Sequence, residues 1–181
     1  FRNGIIGTGT MAQGSNGAWI ITGTSADLGG SAGALTLSLG ANGLSVGSST
    51  SMTVSSNTTI NSGTMTINGT IDCGTKVLSG SGGITLASGG TLKTANTSGV
   101  NGSITTSGTN TFNSGANYVF DGTGDQVTGS LLTAANNIDL SNTGGKVSLS
   151  GGIAVGGTFT VPSGNIIDAG TNALSGSGAV T

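Results

Sequence analysis

Few side chains in this sequence can take part in acid–base, nucleophilic or metal chemistry. Its 181 residues include six carboxylates, all of them aspartate, and four cationic side chains, but no histidine. Because histidine and glutamate are both missing, a Ser–His–Asp triad, a zinc site and a glutamate pair of the glycosidase type are excluded. The single cysteine, Cys73, has no second cysteine with which to form a disulfide in the chain. The sequence therefore predicts that the protein is not an enzyme and that it carries no cofactor.

One acidic, glycine-rich segment could offer oxygen atoms to Ca²⁺. It runs Asp121-Gly122-Thr123-Gly124-Asp125. Calcium takes about six to eight oxygen ligands, so two aspartates leave most of the shell to backbone carbonyls and water. Asp121 and Asp125 are therefore candidate calcium ligands, but a solvated turn is the favoured interpretation.

Two other aspartates, Asp72 and Asp168, are each followed two positions later by glycine within a repeated motif. An aspartate in this setting accepts hydrogen bonds from backbone N–H groups in a turn, so we expect a structural role for both. Cys73 follows Asp72, and Ala169 takes its place in the second copy. This exchange indicates a small inward or turn position rather than a reactive thiol.

Trp19 and Tyr118 are the aromatic side chains best suited to stack on a sugar ring. They occupy matching places in an internal repeat, since each precedes a Gly-Thr pair by the same spacing. Matching places favour a structural position for both rings. Contact with a glycan is the second interpretation.

The charge balance excludes two classes of partner. The formal net charge is −2, and the four cationic residues do not cluster. A nucleic-acid surface or a polybasic membrane patch needs grouped Lys and Arg. No stretch approaches the roughly 20 apolar residues of a membrane-spanning helix. We therefore expect no nucleic-acid binding and no membrane insertion.

Short β-strands are the elements that must position these residues. Gly, Thr, Ser and Asn fill 107 of the 181 positions, and glycine costs a helix about 1 kcal/mol per residue. The apolar residues form alternating triplets around a central small residue, which is the pattern of a half-buried strand. The triplets begin at Leu35, Leu44, Met52, Met65, Ile84, Val147, Ile153 and Phe159.

The sequence repeats itself at long range. The segment 71–82 recurs as 167–178, an offset of 96 positions, and further pairs of segments follow at offsets of 94 to 99. Residues 1–99 and 100–181 are therefore predicted to be two copies of one β-helix module, the second truncated, within one continuous solenoid. Equal offsets predict equal places along the column, with Asp72 matching Asp168 and Trp19 matching Tyr118.

The favoured fold is all-β: a right-handed parallel β-helix of about eight coils, without long helices. A β-sandwich is the alternative, but it expects strands of about five or six residues, whereas the alternation here mostly stops after three. Further coils of the same chain are expected beyond Thr181, since neither end supplies a polar cap. The residues predicted to face inward are Met52, Val54, Met65, Ile67, Leu78, Val147, Leu149, Phe159, Val161 and Leu174.

The repeated Asp-x-Gly-Thr-x-x-Leu-Ser-Gly-Ser-Gly motif and the many Gly-Thr-rich strands resemble the repetitive segments of very large surface proteins of Bacteroidota that the type IX pathway exports. They are also similar, more loosely, to autotransporter and filamentous-haemagglutinin β-helices. The resemblance implies export, an extracellular or cell-surface location and an adhesive or spacer role. It would make environmental or host glycans and the secretion machinery partners, and it supplies no catalytic motif.

Two classes of function remain from the sequence. The first is a structural or adhesive stalk segment of a long extracellular protein. The second is a β-helical module that itself binds a glycan or a partner. Ice binding is a remote third, because Thr-x-Thr triplets occur, but their spacing of 14 to 49 positions is too irregular for one Thr pair per coil. These triplets begin at Thr8, Thr22, Thr64, Thr109 and Thr158.

Overall fold

The computed structural model describes residues 4–6, 9–14, 17–30 and 33–181, which wind into a column of stacked coils. Every strand pairing in these residues is parallel, and each joins a strand to the corresponding strand of the next coil. The column has about eight turns and one short helix. The predicted all-β parallel β-helix is therefore confirmed.

The strands are short, as the alternating triplets predict. In chain order they are β1 (Gly4–Ile6), β2 (Gly9–Ala12), β3 (Trp19–Ile21), β4 (Ser25–Gly29), β5 (Leu35–Ser38), β6 (Leu44–Val46), β7 (Ser51–Val54), β8 (Thr58–Ser62), β9 (Thr64–Ile67), β10 (Thr70–Asp72), β11 (Leu78–Ser79), β12 (Gly83–Leu86), β13 (Thr91–Thr94), helix α1 (Gly99–Ser103), β14 (Thr111–Phe112), β15 (Asn117–Phe120), β16 (Gln126–Val127), β17 (Ala134–Ala135), β18 (Asn137–Asp139), β19 (Lys146–Ser148), β20 (Ile153–Val155), β21 (Thr158–Thr160), β22 (Ile166–Asp168), β23 (Leu174–Ser175) and β24 (Ala179–Val180).

Each coil has three segments, which we call first, second and third in chain order. The first segments form one nine-stranded sheet, β1-β4-β7-β10-β13-β15-β18-β21-β24, that runs the length of the column. The second segments form the sheet of β2, β5, β8 and β11 and, later, the sheet of β16, β19 and β22. The third segments form the sheet of β3, β6, β9, β12 and β14 and, later, that of β17, β20 and β23. In the fifth coil, α1 takes the place of the second strand.

Alternation along each strand fills the inside of the column with apolar side chains. In the nine-stranded sheet, one inward row is at most 5% exposed. This row consists of Ala26, Met52, Ile71, Leu92, Tyr118, Ile138 and Phe159, each paired with the next. Because the rows of all segments meet inside, one apolar core continues from coil to coil.

Eight of the ten residues predicted to face inward are confirmed as buried: Met52, Val54, Met65, Ile67, Leu78, Val147, Leu149 and Phe159. Val161 is half-buried and packs against this core. Leu174 also faces inward, since it pairs with the buried Ile153, but its side chain is 37% exposed. No later coil of the described chain covers its other side.

The coils differ in length, and their corners absorb the difference. Paired residues of neighbouring first segments lie 19 to 26 positions apart, as for Ser51 with Thr70 and Ser25 with Ser51. The strands nevertheless stay in register. Equal places in the column therefore do not require equal spacing in the sequence.

The predicted equivalence of the two copies along the column is wrong. Asp72 lies on β10, a first segment, whereas Asp168 lies on β22, a second segment. Trp19 lies on β3, a third segment, and Tyr118 lies on β15, a first segment. The second copy is therefore displaced by one segment around the coil. The boundary between residues 1–99 and 100–181 stays a prediction.

The local conformation of the motif is nevertheless the same in both copies. The backbone N–H two residues after the aspartate donates to its Oδ1, over 3.0 Å at Asp72 and 3.1 Å at Asp168. This confirms the predicted turn role. Later in the motif, Gly80 (φ +105°) and Gly176 (φ +109°) have backbone conformations that disfavour other residues, and a Cβ on either would collide with a carbonyl oxygen of the preceding coil.

Candidate functional site

The outer face of the nine-stranded sheet runs the length of the column. Its strands lie about 4.8 Å apart, and outward residues two positions apart on a strand are separated by about 6.6 Å. One outward row carries hydroxyl and amide groups: Ser25, Ser51, Thr70, Thr91, Asn117, Asn137 and Thr158. The second row carries most of the charges of this face: Asp27, Thr53, Asp72, Lys93, Val119, Asp139 and Thr160.

Lys93 ties three successive coils together on this face. Its Nζ lies 3.0 Å from Asp72 Oδ2 and 3.2 Å from Asp121 Oδ2. Partial burial acts to lower the pKa of Lys93, but the hydrogen bonds and charges of the two aspartates outweigh it and raise that pKa above its ordinary value. All three side chains are about one-third exposed or less. The three side chains therefore link successive coils along the column, and their charges are already paired with one another.

The two candidate calcium ligands have different partners. Asp121 Oδ2 pairs with Lys93, while its Oδ1 is buried without a hydrogen-bond partner. Asp125 Oδ1 accepts a hydrogen bond of 3.0 Å from the backbone N–H of Lys146. No group of three or more His, Cys, Asp or Glu side chains with metal-binding geometry occurs in the described residues. Calcium binding at Asp121 and Asp125 stays a prediction, and Lys93 supplies a competing positive charge.

A groove of about 480 Å³ opens beside a second ion pair, between the corners that precede β19 and β22. Asp125, Lys146 and Ile166 are among the residues that line it. Lys146 Nζ lies 2.6 Å from Asp168 Oδ2. That hydrogen bond, followed by the one from the backbone N–H of Gly170, lowers the pKa of Asp168, and the same pairing raises the pKa of Lys146. The groove is open to solvent, and its charged groups already have partners.

The structure separates the two aromatic candidates. Tyr118 is only 1% exposed, and its ring faces the inside of the column. Burial raises the pKa of its hydroxyl, which has no hydrogen-bond partner among the described residues. A ring in this place presents no face to a sugar, so the glycan-stacking hypothesis for Tyr118 is wrong. Trp19 is half-buried and packs against the core, and glycan contact at Trp19 stays a prediction.

Cys73 lies inside the column, completely buried. Burial, with a smaller contribution from the negative charge of Asp72, raises the pKa of its thiol to about 12. A thiol is nucleophilic only as thiolate. The expectation of a small inward position is therefore confirmed for Cys73.

Outward hydroxyl ladders also run along the other two sides of the column. On the second segments the ladder consists of Thr10, Thr36, Thr59 and Ser79, each paired with the next. On the third segments it consists of Ser45, Thr66, Thr85 and Thr111. The third-segment ladder residues and their neighbours on these strands carry no charge.

These ladders are not evident from the absolute spacing of the Thr-x-Thr triplets in the sequence. The Thr-x-Thr triplets at Thr64 and Thr109 lie on one side of the column, and the triplet at Thr158 lies on another. Thr8 lies outside the described residues. A signal was present in the apolar triplets, since Ser45, Thr66 and Thr85 are each the central residue of one. Aligning triplets in order, rather than by distance, recovers the ladder.

Comparisons with known proteins add no relative to this description. No protein-family model, no curated protein and no solved structure matches the chain. Among the described residues, no helix is long and apolar enough to cross a membrane.

Proposed function

We propose that the chain is a structural or adhesive stalk segment of a long extracellular protein. The observation that carries the proposal is the single apolar core, which continues through the stacked coils beside one unbroken nine-stranded sheet. Eight steps between nine strands, at about 4.8 Å each, make a column of about 38 Å. Solenoid repeats contact only their neighbours, so such a column gains length by adding coils without redesigning the core.

The surface composition supports the location that we propose. Outward positions carry mainly hydroxyl and amide groups, and the three ion pairs of the described residues lie between coils. The resemblance of the repeated motif to exported surface proteins of Bacteroidota supports an extracellular setting and a type IX export route. Stalk function needs no catalytic group, which agrees with the shortage of chemically competent side chains.

Recognition of a glycan or a protein partner is the second candidate function. The observation that favours it is the uncharged ladder of Ser45, Thr66, Thr85 and Thr111, whose hydroxyls repeat about every 4.8 Å along one side. A regular row of hydroxyls can hydrogen-bond to the repeating hydroxyls of an extended polysaccharide. In this case the segment itself would be the binding surface rather than a spacer.

Pulling the chain along the column axis tests the stalk proposal. With handles at both ends, single-molecule force spectroscopy should show resisted unfolding in steps of one or a few coils. One coil of about 21 residues releases about 70 Å of extended chain. Smooth extension without resisted steps would contradict a load-bearing role.

A binding experiment separates the second candidate. The chain is screened against a panel of polysaccharides, together with a Thr66→Lys/Thr85→Lys variant and a Thr70→Lys/Thr91→Lys control on the nine-stranded sheet. A stalk segment that serves only as a spacer is expected to bind none of the panel. Binding that is lost in the first variant and kept in the control would reject the spacer role in favour of recognition.

A further inference from the structure

Two of the three sides of the column have no strand pairing between the fifth coil and the sixth. The sheet of second segments ends at β11, apart from a single bridge between Leu78 and Ile104, and the next sheet on that side begins at β16. The sheet of third segments ends at β14, and the next begins at β17. Among the described residues, the nine-stranded sheet alone passes from the fifth coil to the sixth, through the pairing of β13 with β15.

On the second side, two backbone hydrogen bonds and several side-chain hydrogen bonds replace the missing strand pairing. There α1 stands in place of a strand, and two backbone bonds cross to the sixth coil: Val127 N–H to Thr97 O at 3.0 Å and Val100 N–H to Thr128 O at 3.1 Å. Asn101 adds two more contacts, because its Nδ2 donates to Ser130 Oγ and its Oδ1 accepts from Leu131 N–H.

Gln126 makes the most hydrogen bonds in the group that replaces strand pairing on the second side. It is 2% exposed, and its Nε2 donates to Thr94 O at 3.0 Å and Asn96 O at 3.1 Å in the fifth coil. Its Oε1 accepts from Gly122 N–H in its own coil and from Asn142 Nδ2 in the seventh. An amide offers two donors and two acceptor positions, so Gln126 has all four filled and joins three coils.

On the third side a single backbone bond of the described chain crosses, at the corner after the strands, from Asn136 N–H to Ala116 O at 2.7 Å. No backbone hydrogen bond of the described residues joins β14 to β17. A groove of about 240 Å³ lies there, with Ser114 from the fifth coil and Ala134 from the sixth in its lining. The interface between the fifth and sixth coils therefore has fewer backbone bonds than the interfaces between earlier coils.

We infer that the column contains a joint between the fifth coil (residues 91–116) and the sixth (residues 117–136), at which its two halves open as separate cooperative units. Gln126 is the clamp that holds this joint closed. Three sheets join the first four coils, and three join the sixth to eighth, so each half retains its own ladders when the joint opens. The inference does not depend on the proposed stalk role.

Hydrogen exchange of the full chain in increasing sub-denaturing urea tests the joint, because it reports opening segment by segment. The test variant is Gln126→Ala. The matched control is Asn68→Ala, since Asn68 Nδ2 also bridges two coils, to Ser45 Oγ at 2.9 Å and Val46 O at 3.2 Å, where all three sheets are continuous. Asn101→Ala serves as a milder second test variant if Gln126→Ala fails to fold.

We expect the amides of the third and fourth coils to exchange as one group and those of the sixth to eighth coils as another, each with its own urea dependence. In the test variants, protection at the N–H groups of Val100 and Val127 should fall at least tenfold more than in Asn68→Ala. A single urea dependence from the third coil to the eighth, in the wild type and in both test variants, would overturn the joint. Equal loss of protection throughout the column would also overturn it.

Discussion

The buried thiol of Cys73 should make the stability of the column sensitive to alkaline pH. Its pKa rises from 9.0 to about 12 in the folded chain, chiefly through burial and secondarily through Asp72. Between these values the unfolded chain has released the thiol proton and the folded chain still holds it. Because the folded-state pKa is the higher one, the thiol's contribution is fully present below pH 9 and is lost as pH rises towards 12.

The magnitude follows from the size of the shift. Once pH exceeds 9, each further unit approaches a cost of about 1.4 kcal/mol in the free energy of unfolding. Between pH 7 and pH 10, ionisation of the unfolded thiol alone therefore removes about 1.4 kcal/mol. Above pH 10, Lys93 and Tyr118 add losses of the same sign, because their pKa values are raised above the ordinary 10.5 and 10.0.

Urea denaturation of the wild type and of Cys73→Ala at pH 7, 9 and 10 measures this effect. Alanine occupies the corresponding place, Ala169, in the second copy of the motif, so the substitution suits the local turn. At pH 7 the variant should be less stable by about 1 kcal/mol, because a small cavity replaces the sulfur. The two stabilities should then converge as the pH rises and become equal between pH 9 and pH 10. Parallel pH profiles would show that the thiol is not buried in the folded chain and would refute the argument.

Two further substitutions test the packing of the column. Tyr118→Phe should stabilise the chain by about 1 to 3 kcal/mol in urea denaturation, because it removes a buried hydroxyl without a hydrogen-bond partner and keeps the ring; a loss of stability would mean that the hydroxyl is hydrogen-bonded in solution. Gly80→Ala should cost at least ~3 kcal/mol, because its Cβ would strike the carbonyl of Ile60. Gly164→Ala, at φ +91° with open space around it, should cost about 1 kcal/mol, and equal losses in the two glycine variants would contradict the close approach at Gly80.

The core of the column could be predicted from the sequence because alternation is a local property. Met52 and Met65 each stand beside a Thr within a triplet, and a period of two determines which side chain points inward. Burial at the last coil could not be predicted in the same way. The exposure of Leu174 depends on which residues pack over it, and its own neighbours in the sequence do not encode this.

The surface was less predictable than the core because it depends on corner lengths. Coils of 19 to 26 residues bring Ser25, Ser51 and Thr70 into one outward row, although their spacing in the sequence is unequal. The ion pairs of Lys93 arise likewise from residues 21 and 28 positions away, at Asp72 and Asp121. Sequence offsets alone do not reveal which polar side chains meet.

The displacement between the two copies also follows from the number of residues in each coil. Four coils lead from Met52 through Ile71, Leu92 and Tyr118 to Ile138. In the sequence repeat, Met52 matches Val147, 95 positions later, which lies on the next segment of the coil that contains Ile138. The repeat therefore measures four coils and one further segment. The motif keeps the same turn conformation after this displacement. The reason is that the strand segments of all three sides are alike: each is a short strand with alternating inward and outward side chains, followed by a corner. The outward side chains of the two copies then face different sides of the column. A ligand that recognised the motif would meet the copies on separate faces, which argues against a shared binding surface and favours a structural reason for the repeat.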